Sequence, residues 1–142
     1  MELFRIVYCS RNMIDPAQAD EELPVILAAA QRNNAAQGVT GALLYNDGIF
    51  AQVLEGPFEA VQTVFERIQI DPRHDYVIAL VAENVTERAF AGWAMAHAKP
   101  NDPVAVGSLL TRAMAGEMGG HDAVLNLLNR VVHSRSLAAA GA

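Results

Sequence analysis

Two runs of strand-forming residues, 39–45 (VTGALLY) and 49–56 (IFAQVLEG), stand either side of Asn46-Asp47-Gly48. Asn, Asp and Gly tolerate the positive φ that a tight hairpin needs. The pattern therefore predicts two adjacent antiparallel strands, and the rest of the chain must complete a sheet around them. Residues 3–10 (LFRIVYCS) supply a first strand leading into a turn near Asp15-Pro16. From Asp20, read as an N-cap, Leu23, Ile26, Leu27 and Ala30 recur at helical spacing up to Gly38, which predicts a helix of about five turns with Pro24 in its first turn. Pro57 opens a second helix with an inner stripe of Phe58, Val61, Phe65 and Ile68, ended by Asp71-Pro72. Strands follow at 76–82 and 90–97.

The order β-α-β-β-α-β predicts a ferredoxin-like α+β fold, with two helices on one face of the sheet and an extra fifth strand. Apolar positions Val106, Leu109, Leu110, Ala113 and Met114, then Val124, Leu127, Leu128 and Val131, mark helices at 104–116 and 121–135. These would cap the other face or bind a partner. The chain of 142 residues is long enough for one substantial core, divided here into a domain at 1–98 and a helical extension at 99–142. The formal charge is −6 and Lys and Arg are scattered singly, which argues against direct nucleic acid binding. A single cysteine, Cys9, excludes an internal disulfide, and the four histidines have no metal-ligand spacing. No apolar run reaches membrane-spanning length and no leader is evident, so the expectation is a soluble, cytoplasmic protein without a membrane partner.

Polar side chains on faces that should be apolar carry the functional information. Alternation puts Phe4, Ile6, Tyr8 and Ser10 on one side of the first strand, and Val7 and Cys9 on the other. Gln52 shares a face with Phe50 and Leu54, and the apolar stripes of the first helix continue to Asn33 and Asn34. An unsatisfied buried polar group costs about 1–3 kcal/mol, so several together would consume much of a small domain's stability. A heterocycle with polar groups along one edge and an apolar body, held between the two helices, satisfies Tyr8, Asn34 and Gln52 together.

The segments Arg32-Asn33-Asn34, Gly38-Val39-Thr40-Gly41, Leu44-Tyr45, Gly48, Phe50 and Gln52-Val53-Leu54-Glu55-Gly56 resemble the BLUF domain, a sensor of blue light using FAD. Asp71-Pro72-Arg73-His74 and Phe90-Ala91-Gly92-Trp93-Ala94-Met95 agree with it, so the resemblance covers about residues 1–98. It implies a photoreceptor rather than an enzyme, binding FAD without a covalent link, with FMN or riboflavin accepted as well. It further implies that Tyr8 donates an electron to the excited flavin, and that Gln52 is the amide switching between Tyr8 and the ring. Asn34 would bond the pyrimidine side and Arg73 the second carbonyl. His74 would lie beside the ring plane, and Asn33 at a position that is histidine in some relatives. Ser10 matches a position near the tyrosine. Trp93 and Met95 resemble a pair that relays the signal, and either could face inward. Cys9 points away from Tyr8 and should be plain core.

No effector follows within the chain, so the signal is expected to leave through the tail helices to a downstream protein partner or another copy in a homo-oligomer. Two other functions fit the architecture. An acylphosphatase-like hydrolase would use Arg11 and Asn12, but no phosphate-cradling glycine-rich loop accompanies them; a cofactor-free regulatory module would be colourless.

Overall fold

The computed structural model describes residues 2–46, 48–99 and 102–141, with the backbone alone for 133–141. The elements run β1 (Leu3–Asn12), a 3-10 turn (Pro16–Gln18), α1 (Ala19–Gln37), β2 (Thr40–Asn46), β3 (Ile49–Gly56), α2 (Phe58–Gln69), β4 (His74–Val85), β5 (Ala96–Ala98), α3 (Pro103–Met114) and α4 (Gly120–Gly141). The sheet order is β4-β1-β3-β2-β5, antiparallel throughout except that β5 runs parallel to β2. This is the ferredoxin-like α+β arrangement with a fifth strand.

The hairpin pairs Asn46 with Ile49; the central Asp47 of the expected turn lies outside the described residues. Gly41 on β2 is required by close approach. A Cβ there would stand 1.9 Å from the Val53 carbonyl oxygen across the ladder. Gly38 ends α1 at φ 72, the left-handed conformation that glycine adopts without a Cβ penalty.

Alternation along β1 and β3 builds two cores. Ile6, Tyr8, Phe50 and Leu54 face α1 and α2. Val7, Cys9, Ala51 and Val53 face the opposite way, where Val106, Leu110, Val124, Leu127 and Leu128 of α3 and α4 cover them. The tail helices therefore cap the second sheet face. Fully buried Leu110 and Leu128 each contribute about 1.5–3 kcal/mol through burial.

Four expectations change. Asp20 does not cap α1: the preceding 3-10 turn, capped by the Asp15 side chain on the Ala17 N–H (3.0 Å), starts the helical path earlier. Pro24 consequently falls in the second turn of α1, where its missing N–H leaves one backbone bond unmade. On α2, Phe58 is 52% exposed and meets Phe4 edge-on at the rim, while Val64 takes the inward place. The strand expected at 90–97 shrinks to Ala96–Ala98. Gly92, at φ 90, breaks the extended path, and the Ala89 and Phe90 N–H groups donate to the Glu55 carboxylate at 3.0 and 2.9 Å.

Candidate functional site

On the first face, α1 and α2 leave a cleft whose polar lining is Tyr8, Asn33, Asn34, Gln52, Asp71, Arg73, His74 and Arg67, with Ile26 and Ala30 of α1 opposite Val64 and Ile68 of α2. It encloses about 170 Å³, or about 840 Å³ with its open mouth. That shape suits a flat ligand gripped by its inner part. All six residues expected to hold a cofactor line this one cleft.

Tyr8 and Gln52 are directly opposite in the β1/β3 ladder, so their side chains meet on one face. The Tyr8 hydroxyl donates to Gln52 Oε1. Tyr8 is 2% exposed, and burial, with smaller contributions from Cys9 and Asp71, pushes its phenol well above the ordinary range. The proton therefore stays on Tyr8 at any ordinary pH. Gln52 Nε2 in turn donates to the Met95 sulfur at 3.3 Å. Phenol, amide and thioether form one buried chain that starts at Tyr8 and Gln52 in the cleft lining and ends on the buried Met95.

His74 owes its place to a ladder irregularity between Cys9 and Arg11, which leaves Tyr76 at φ 51 in β4. Its Nε2–H donates to the Ile68 carbonyl, and a carbonyl can only accept. Its Nδ1 is hydrogen-bonded to the Ser10 hydroxyl at 2.7 Å. Ser10 thus stands behind His74 without lining the cleft.

The segment before β5 is tied to α1 and to β2. Asn34 Nδ2 donates to the Ala94 carbonyl (3.0 Å), Gln31 Nε2 to the Met95 carbonyl (3.1 Å) and the Gly41 N–H to the Trp93 carbonyl (2.9 Å). Met95 is 2% exposed and lies against Gln52; Trp93 packs into the opposite core. The two are not on one strand face, because the chain there is a turn.

Arg73 closes the mouth, bonded by its Nε to both Asp71 carboxylate oxygens at 2.9 and 3.1 Å. The pair holds the Asp71 carboxyl below its usual range and raises the guanidinium. Asn33 is at the exposed rim. Sequence reasoning missed Arg67, Gln31 and Glu55's partners; only the proximity of Arg67 to Asp71-Pro72-Arg73 hinted at the first.

Elsewhere the chemistry is structural. Glu55 is fully buried and bonds Arg5 (2.8 Å) besides the two N–H groups above. Arg88 ties the same loop to the Glu55 and Gly38 carbonyls. Arg11 is paired with Asp75 at 2.7 and 2.6 Å, and Asn12 accepts from the Ile14 N–H, so neither frames an anion site. Cys9 is core on the far face, its thiol pushed up to about 12 by burial. Among the described residues no cluster could hold a metal ion, and no helix is long and apolar enough to cross a membrane.

The donor set suits a flavin: amides and a phenol for ring carbonyls and nitrogens, apolar helix faces for the ring planes, and charge only at the mouth. The family model for BLUF, sensors of blue-light using FAD, matches residues 3–96. A photoactivated adenylate cyclase subunit beta from Euglena longa is 40% identical over 78 residues, 54% of this chain and 9% of that protein. A blue light- and temperature-regulated antirepressor, BluF of Escherichia coli, is 37% identical over 89 residues, 62% of this chain and 21% of that protein. The chain thus spans a small part of these curated relatives. Among solved structures, BlrB, a BLUF protein in its dark state, superposes with a TM-score of 0.74 at 31% identity, covering 94% of this chain and 97% of that one. BlrP1 of Klebsiella pneumoniae with FMN and cyclic diGMP gives a TM-score of 0.64 at 29% identity, covering 80% and 34%.

Proposed function

The chain belongs to the BLUF family of blue-light photoreceptors that use a flavin, and we propose that the cleft between α1 and α2 holds that flavin, with Tyr8 and Gln52 as its photoactive pair. FAD is the proposed form, after the family's description; FMN and riboflavin carry the same ring. The observation that carries the assignment is the buried chain from Tyr8 through Gln52 to Met95.

Bound there, the flavin supplies blue-light absorption and an excited state able to take one electron. Tyr8 is the donor. A buried phenol holds its proton firmly in the dark, and a phenol that has lost an electron is a strong acid, so the proton would leave along the existing bond to Gln52 Oε1. Gln52 then has two ways to rearrange. Rotating its amide would aim Nε2 at Tyr8 and withdraw it from the Met95 sulfur; tautomerising would change its donors in place. Asn34 and Arg73 would hold ring carbonyls, and His74, fixed by Ser10 and Ile68, would wall one side.

Output would follow from position. Met95 directly precedes β5, and β5 leads to α3 and α4 on the far face. A hydrogen-bond change of about 1 kcal/mol shifts a two-state ratio only about fivefold, so the tail helices must already be near balance. They would then alter contact with a downstream protein or a second copy.

The test is the absorption spectrum of flavin-loaded protein before and after blue light. A small reversible red shift, lost in Gln52→Leu and in Tyr8→Phe, supports the assignment. A full shift in both variants would overturn it.

A further inference from the structure

The segment from Trp93 to Met95 presents three consecutive carbonyls, and each accepts from a different donor: the Gly41 N–H at 2.9 Å, Asn34 Nδ2 at 3.0 Å and Gln31 Nε2 at 3.1 Å. The first donor is backbone and is fixed in β2. The second is buried and lines the cleft, where a flavin would share its amide. Gln31 differs from both. It stands one turn before Asn34 on the same face of α1, is exposed, and is not among the described residues that line the cleft. It therefore reaches Met95 without touching the ring. Met95 is held at two points. Its sulfur, a weak acceptor, takes Gln52 Nε2 at 3.3 Å, and its carbonyl takes Gln31. The next residue, Ala96, enters the ladder opposite Ala42 of β2. If the Gln52 amide turns, the sulfur contact is lost, and the carbonyl contact is left to hold Met95 at the entrance to β5.

We propose that Gln31 is a positioning residue of the photocycle: its tether on the Met95 carbonyl keeps the thioether beside Gln52 after light, so that the amide finds its dark partner again, and it limits how far the change passes into β5. This rests on the cleft being the flavin site with Gln52 as its switching amide. The tether acts on the lifetime of the light state and on the motion of the segment. It does not act on the size of the spectral shift, which is set where Gln52 meets the ring. One neutral hydrogen bond of this kind corresponds to about a fivefold change in a rate or an equilibrium.

The test is dark recovery of the flavin absorption after blue light in wild type, Gln31→Leu, Gln31→Glu and Gln31→Lys. Leu removes the donor, Glu keeps the shape but can only accept, and Lys restores a donor on a long side chain. Val25→Ala, also exposed on α1, controls for changes to the helix itself. The expected result is recovery slowed about fivefold in Gln31→Leu and at least as much in Gln31→Glu, returned towards wild type in Gln31→Lys and unchanged in Val25→Ala, with the same red shift throughout. Light-minus-dark infrared spectra of protein labelled with carbon-13 at the methionine backbone carbonyls supply a second readout. The methionine carbonyl band should grow severalfold in Gln31→Leu and vanish when Met95→Leu is added. Recovery of Gln31→Leu within about twofold of wild type, equal slowing in Gln31→Lys, or a methionine carbonyl band unchanged from wild type would overturn the tether while leaving the flavin reading standing. Absence of any reversible red shift in wild type would overturn the photoreceptor site and the tether together.

Discussion

Removing the Glu55 carboxylate should unfold this protein earlier without emptying its cleft. Glu55 is 0% exposed and accepts from Arg5 Nε at 2.8 Å, with the Arg5 terminal nitrogen at 2.7 Å and the Ala89 and Phe90 N–H groups at 3.0 and 2.9 Å. In Glu55→Ala the Arg5 side chain, 13% exposed, keeps only Glu83 at 3.8 Å. Breaking a buried pair from one side costs about 3–5 kcal/mol because a largely buried charge loses its near partner, and the distant, part-exposed Glu83 replaces little of it. Against a total stability of about 5–15 kcal/mol, and at about 2–4 °C per kcal/mol for a chain near this size, the unfolding midpoint should fall by roughly 10 °C. Glu55→Gln keeps the shape and part of the acceptor set, so it should lose less. Alternation turns Glu55 away from the face that carries Gln52 and Leu54, so flavin affinity at a temperature where both proteins are folded should change less than twofold. Circular dichroism melts and flavin titration on the same samples measure both. A midpoint within about 3 °C of wild type would refute the claim that this clamp holds the segment leading to Met95.

Met95→Leu keeps core volume and should cost less than about 1.5 kcal/mol, yet it removes the acceptor of Gln52 Nε2; recovery of the dark spectrum after blue light should change severalfold, and much less in Trp93→Phe, whose ring packs in the far core. Asp71 has its carboxyl lowered below the ordinary 3.8 mainly by the hydrogen bond from Arg73, so the pair stabilises the fold fully above about pH 4 and loses that contribution as pH falls through the lowered native value; acid titration of Asp71→Asn should show a shallower decline of stability over that range. With its thiol raised to about 12 by burial, Cys9 should resist alkylation in native protein at pH 7.5 and react once the protein is unfolded in urea; modification of folded protein would show that the far core opens.

Much of this was legible in the chain because it depends on period and turn chemistry. Two-residue alternation placed Tyr8 and Gln52 on the same side as Phe50 and Leu54, and the ladder pairs them. The continuation of the α1 stripe to Asn34 likewise brought a carboxamide to the cleft. Long-range polar partners were not legible. The six residues from Phe90 to Met95 read as strand because their composition is apolar, but their backbone groups bind Glu55, Gly41, Gln31 and Asn34, and nothing local encodes those pairings. That is also why Trp93 and Met95, two apart, take opposite sides of the sheet. The ladder irregularity near Ser10 and Arg11, which turns His74 inward, follows from strand register and has no signature in the residues themselves.

In the proposed photochemistry, light rearranges the Gln52 amide beside Tyr8 and Met95. The most direct test is the light-minus-dark infrared difference spectrum of flavin-loaded protein with its glutamine side-chain carbonyls labelled with carbon-13, set against labelled Gln52→Leu. A carbonyl difference band that moves on labelling and is absent in the variant is the expected result. A difference spectrum identical with and without label would mean that Gln52 is a bystander, and would contradict it.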